Sequence, residues 1–180
     1  MALLAEELVE EWLNRQGYFT IRGVKLGVKE MDLLAVRVGP SGLERRQIEV
    51  QASSRPVSYI SRVPEAVQRK TGRRATSAKV RTDSQLRQGV REWVQKKYDD
   101  RKKQRLREML AAGPWSRELV VHVVKHKQEL KFFREAGIKV LRLSDIVDEL
   151  KNRSGILKAA SGADLVDLVS MTIRRRRGHR

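Results

Sequence analysis

An α/β fold with a mixed central sheet of about five strands, flanked by helices, is predicted by three features of this 180-residue sequence. Leu4, Leu8, Trp12 and Leu13 recur at helical spacing near the start. Strand-like apolar runs then follow one another across two turn signals, Gly27 and Gly39-Pro40-Ser41-Gly42. Beyond residue 117 a β-branched run, a helical run and a short second strand succeed one another, the alternation that lays helices on the faces of a sheet.

The first helix is expected over residues 2–16, with Gly17 as its stop. On a helical wheel Glu6 lies beside Val9 and Leu13 at the margin of the apolar stripe, whereas Glu7 points toward solvent, so Glu6 is the acid placed to reach the sheet. Tyr18 to Leu26 alternates as a first strand and residues 30–38 form a second, joined through the Gly-Pro-Ser-Gly turn to a third, 44–53, as an antiparallel hairpin. In that third strand Ile48, Val50 and Ala52 share one face while Gln47, Glu49 and Gln51 share the other, because successive side chains point to opposite sides.

Residues 54–82 are rich in Arg, Ser and Thr with no sustained apolar period, which predicts an extended or partly ordered insertion with at most a short helix after Pro64. Thr82 or Asp83 caps one long helix toward Ala112; its middle, KKYDDRKKQRLR, is almost wholly charged and is expected to project from the body. Gly113-Pro114 ends it. Glu118 to Val124 reads as a strand buried on both faces, with His122 a core or sheet-edge histidine. A helix over 127–136 capped by Gly137, a strand over 138–143, a helix over 144–152 and an amphipathic helix over 163–173 complete the order. The chain divides into 1–54 and 118–152 as two halves of a core, 55–117 as a basic insertion with the long helix, and 153–180 as a C-terminal helix and tail, all within a single domain.

The absence of cysteine excludes disulfides, zinc-thiolate centres and thiol catalysis. The acidic, amphipathic start lacks the marks of a signal peptide, and no apolar run approaches the length of a membrane span, so a soluble cytoplasmic protein is expected, with no membrane partner and no small-molecule cofactor. The formal charge is +17. Residues 55–117 carry 18 Lys/Arg against 6 Asp/Glu, and the closing RRRRGHR adds five more, so the excess sits in the insertion and the tail while the remainder is neutral. Solubility alone does not require such clustering; a polyanion does, and nucleic acid is the commonest. The expected contacts are Arg69, Lys70, Arg73, Arg74, Lys102, Lys103, Arg174, Arg175, Arg176 and Arg177. Trp12 and Trp93 read as core anchors, while Tyr98 and Trp115 flank basic residues and are candidates for stacking on bases.

Two strands each carry an acid where a sheet core disfavours one, Asp32 within Met31-Asp32-Leu33-Leu34-Ala35-Val36 and Glu49 within Gln47-Ile48-Glu49-Val50-Gln51. Buried carboxylates need a partner, and a divalent cation satisfies two at once. Either acid alone has a simpler reading, Glu49 as the partner of Arg45 or Arg46 and Asp32 as a carboxylate held by backbone amides. Their joint spacing with Glu6 points instead to a metal site.

A helix bearing Glu6 eleven residues before Gly17-Tyr18, the strand Lys29-Glu30-Met31-Asp32-Leu33-Leu34-Ala35 and the strand Ile48-Glu49-Val50-Gln51-Ala52-Ser53 together resemble the PD-(D/E)xK, or restriction-endonuclease-like, nuclease superfamily. The look is nearest to archaeal Holliday junction resolvases and related small bacterial endonuclease-like proteins. The resemblance covers residues 2–53 by motif and 118–143 by order of elements only.

It implies a restriction-endonuclease-like core and a Mg²⁺ (or Mn²⁺) ion bound by Asp32, Glu49 and the Val50 carbonyl, with Glu6 completing the site directly or through water. It also implies a homodimeric endonuclease that hydrolyses DNA. Gln51 stands where most members carry a lysine that orients the attacking water; a glutamine amide can hydrogen-bond that water but brings no charge. Lys125, beyond the fourth strand, is the sequence's candidate for a replacement cation. Two other readings remain open: a nuclease-fold DNA-binding protein without activity, and a basic RNA- or ribonucleoprotein-associated protein.

Overall fold

The computed structural model describes residues 2–53 and 56–152; the expected helix at 163–173 and the Arg174–Arg177 cluster lie outside them. The elements are α1 (Ala2–Arg15), β1 (Phe19–Leu26), β2 (Lys29–Gly39), β3 (Gly42–Gln51), α2 (Glu65–Thr71), α3 (Asp83–Lys97), α4 (Arg101–Leu110), β4 (Ser116–Val121), α5 (Gln128–Glu135), β5 (Lys139–Arg142) and α6 (Leu143–Asn152). The five strands lie side by side in sequence order. β1, β2 and β3 form an antiparallel meander, whereas β3–β4 and β4–β5 pair in parallel, so the sheet is mixed and α/β as expected.

Strand parity divides the core into two layers. Leu33, Ile48, Val50 and Val120 face α1 and α6, where Leu8, Val9 and Leu13 meet Ile146 and Leu150. On the opposite face Leu119 and Val121 meet α3 and α5 through Leu86, Val90, Val94, Phe132 and Phe133. Asp32, Gln47 and Glu49 have the parity of this second face, so α3 is the helix that confronts them.

The insertion runs across that face rather than hanging from it. Val57 bridges to Val124, and the buried Glu129 on α5 accepts from Ile60 N at 2.7 Å, Ser61 N at 2.9 Å and Ser61 Oγ at 2.5 Å. α2 begins after Pro64, as the sequence predicts. α3 crosses the anchored segment at Gly89, where an added Cβ would lie 2.8 Å from Ser61 Oγ and 2.9 Å from the Arg62 carbonyl oxygen. Gly89→Ala is therefore expected to lower stability by about 1–3 kcal/mol, although alanine normally stabilises a helix interior by about 1 kcal/mol. A raised or unchanged midpoint of chemical denaturation would show that the approach is looser than this.

One expectation is overturned. The single long helix from Thr82 is two helices, broken at Tyr98-Asp99-Asp100, and its charged middle folds inward instead of projecting. Thr82 caps α3 in a capping box with Gln85, and Asp100 caps α4 through the amides of Lys102 and Lys103. The last carbonyls of α3, which have no helical partner, are taken by side chains: Lys97 O accepts from Gln47 Nε2 at 2.9 Å and Lys103 Nζ at 3.2 Å, and Tyr98 O accepts from Arg107 Nη2 at 3.0 Å. The buried Tyr98 hydroxyl donates to Glu118 O at 2.5 Å, so Tyr98 is a core residue and has no ring free for stacking on bases. His122 also departs from expectation, being exposed just after β4.

Candidate active site

The β2–β3 ladder pairs Leu33 with Ile48, and the same register carried one step further sets Asp32 opposite Glu49 on one face. Like charges in directly opposite positions repel, so the pair needs fixed donors. Asp32 Oδ2 accepts from Val50 N at 2.8 Å. Glu49 is fully buried and accepts from Gln47 Nε2 at 3.1 Å on Oε1. Arg45 and Arg46 are not its partners, since Arg46 instead makes a two-pronged pair with Glu118, Nε to Oε1 at 2.8 Å and Nη2 to Oε2 at 2.6 Å.

The cation between the two acids comes from α3. Lys97 Nζ donates to Glu49 Oε2 and stands 3.6 Å from Asp32 Oδ1. A second ammonium, Lys103 on α4, is 3.8 Å from Glu49 Oε1 and donates to Glu30 O at 2.6 Å. Lys103, assigned from sequence to the nucleic-acid surface, is only 2% exposed and belongs to this buried cluster. Burial, then Asp32, pushes the Glu49 carboxyl up to about 7, against the opposing pull of Lys97 and Lys103. Burial works to lower the Lys97 ammonium, but Glu49 and Asp32 outweigh it and hold the group above its ordinary value. Lys103 is lowered, chiefly by burial.

Of the other expected residues, Glu6 on α1 is pushed up by burial and then by the charges of Asp32 and Glu30, so it feels one member of the pair. Glu7 instead faces Arg22 at 3.0 Å. Among the described residues no three acidic or histidine side chains converge into a metal-ligating group, so Asp32 and Glu49 stand as a carboxylate pair. Val50 contributes its N–H to Asp32, and Gln51, at the strand end, lines the same groove as Lys97. Lys125 is exposed, with its backbone N–H bonded to Val57 O at 2.9 Å; the site's cations are Lys97 and Lys103. Arg69, Lys70, Arg74 and Lys102 are exposed, while Arg73 is half-buried with Nη2 on Lys79 O at 2.8 Å. A groove of about 670 Å³ opens from Gln51 and Lys97 along the insertion, with Arg69 on its border.

The donor set fits a hard divalent cation. Magnesium is held in phosphate sites by one or two carboxylates and otherwise by water and phosphate oxygens, and two apposed carboxylates beside an open groove match that pattern. A buried acid raised to about 7 binds more protons in the folded than in the unfolded chain between its ordinary 4.5 and 7, so it lowers stability as pH rises through that window. Glu49→Gln is accordingly expected to raise the melting temperature of metal-free protein at pH 8, the gain being at most about 3 kcal/mol. If the pair holds a divalent cation, Mn²⁺ should stabilise the unmodified chain and not this variant; equal stabilisation of both would count against Glu49 as a ligand.

No family model matches the chain, and no curated protein matches it. Among solved structures, the crystal structure of a protein of unknown function, AF1548, aligns with a TM-score of 0.43 at 16% sequence identity, over 80% of this chain and 59% of that one. The chain thus spans less than two thirds of that protein's length. Among the described residues no helix is long and apolar enough to cross a membrane.

Proposed function

We propose that this chain is a divalent-metal-dependent DNA endonuclease with a restriction-endonuclease-like core, in which Lys97 supplies the charge that Gln51 lacks. The observation that carries this reading is the position of Lys97 Nζ on Glu49 and 3.6 Å from Asp32, beside the groove that Gln51 also lines. Asp32, Glu49 and the Val50 carbonyl would hold Mg²⁺ or Mn²⁺, with Glu6 acting through water. The ion would lower the pKa of a bound water and offset charge developing on the phosphate. The Val50 N–H and the Gln47 amide fix the orientations of Asp32 and Glu49, which would leave the pair ready for the ion. Lys97 would hydrogen-bond the attacking water or a phosphate oxygen, and Gln51 would orient that water through its amide. The water gives up a proton to solvent as its oxygen bonds to phosphorus, the bond from phosphorus to the leaving deoxyribose oxygen breaks, and the leaving oxygen takes a proton from solvent.

Arg69, Lys70, Arg73, Arg74 and Lys102, with Arg174 to Arg177, would contact the phosphate backbone, so affinity should fall with salt by a log–log slope of about −0.9 per phosphate neutralised. A dimer would let two sites act on two strands. The assay is incubation of linear, branched and single-stranded DNA with Mg²⁺ or Mn²⁺; cleavage of none of them sinks the enzymatic reading. One observation favours a second reading, a DNA-binding protein without activity: two ammonium groups already face the two carboxylates, so the site is charge-compensated without metal. Under it, Mn²⁺ would leave the melting temperature unchanged.

A further inference from the structure

The groove beside the site differs in character from a surface that simply follows a duplex. Its floor is apolar, with Ile60, Val63 and Trp93, and its border carries the exposed cations Arg62, Arg69 and Lys96. Trp93 is held in place by Phe133, with ring centroids 5.0 Å apart at 87°, and by Tyr98 at 5.7 Å and 61°. Of the two acids that line it, Glu92 is engaged, accepting from Glu65 N at 3.1 Å and from Gln88 Nε2 at 3.1 Å. At about 670 Å³ the space suits one or two nucleotides and is far too small for a double helix.

We infer that this groove receives an unpaired nucleotide of the DNA substrate, its base against Trp93 and its phosphates on Arg62, Arg69 and Lys96, with the adjoining phosphate at Lys97. This rests on the nuclease reading and adds a substrate class to it: DNA whose strand is unpaired next to the cut. An apolar aromatic floor gains from a base taken out of its stack, while the flanking cations secure the backbone. A fully paired duplex can offer such a base only by opening.

The test measures binding to the full chain without divalent metal, so that it does not depend on cleavage. Fluorescence anisotropy would compare a single-stranded oligonucleotide, a blunt duplex of the same sequence and that duplex bearing a single-stranded flap. The single strand and the flap are expected to bind at least about tenfold more tightly than the blunt duplex, the scale of one stacked base. An oligonucleotide carrying 5-iododeoxyuridine should photocrosslink to Trp93. Arg62→Glu/Arg69→Glu, both on exposed positions and safe for folding, should erase the single-strand preference. Equal or tighter binding of blunt duplex, or crosslinks mapping elsewhere, overturns the inference. Cleavage of fully paired DNA with no such preference would overturn it while leaving the nuclease reading intact.

Discussion

Asp32→Asn should abolish or cut DNA cleavage by at least about 10²-fold, the scale for removing a group that stabilises developing charge, while leaving DNA affinity nearly unchanged. Asparagine keeps an oxygen that can accept the 2.8 Å bond from Val50 N, so the strand pairing around it survives and the loss is not one of folding. What disappears is one of the two negative charges that the proposed ion would meet, and with it the second carboxylate of the pair. On the proposed reading affinity would come from the basic surface, so the variant should bind DNA as well as or slightly better than the parent. Gel cleavage assays beside anisotropy titrations measure both quantities on one preparation. A parallel loss of cleavage and binding would mean that Asp32 supports the structure rather than the reaction.

Lys97→Met should lower the cleavage rate by about 10²-fold and move its pH dependence, a combination a merely structural role would not give. Lys97 is the stronger of two cations that hold down the Glu49 carboxyl, so without it that carboxyl rises beyond about 7. Glu49 must be ionised to bind metal; the acidic limb of the rate profile should therefore shift to higher pH in the variant. Gln51 lines the same groove, so Lys97→Met/Gln51→Lys should regain part of the lost activity. Full activity in the single variant, or no recovery in the double, would remove Lys97 from the role assigned to it.

Much of this arrangement was legible in the sequence because sheet geometry is arithmetic. A two-residue turn at Pro40-Ser41 pairs Gly39 with Gly42, and counting back from that turn sets Asp32 opposite Glu49. Period-two alternation alone put Gln47, Glu49 and Gln51 on one face. The inward turn of the charged run was not legible. Lys97, Lys103 and Arg107 look like a solvated face because their partners, Glu49 and Gln47, are separated from them by some fifty residues of chain. One local signal was present: Asp99-Asp100 before a basic helical run is an N-cap, and an N-cap inside a helical pattern marks a break. Read that way, the lysines on either side of the break become candidates for a turn packed against the body, and Lys125 loses its claim.

The parallel pairing of β3 with β4 has a kinetic consequence. The β1–β2–β3 meander closes through tight turns and brings Asp32 and Glu49 together early, whereas β3 meets β4 only after the whole stretch 52–115 has been looped back. If the meander closes first, the two acids would lie side by side with no ammonium between them until α3 brings Lys97, their partner in the folded chain. Folding should then be limited by docking of the crossover, and protonating Glu49 or screening the pair with salt should speed it in stopped-flow refolding; a rate indifferent to both would place the carboxylate pair outside the barrier.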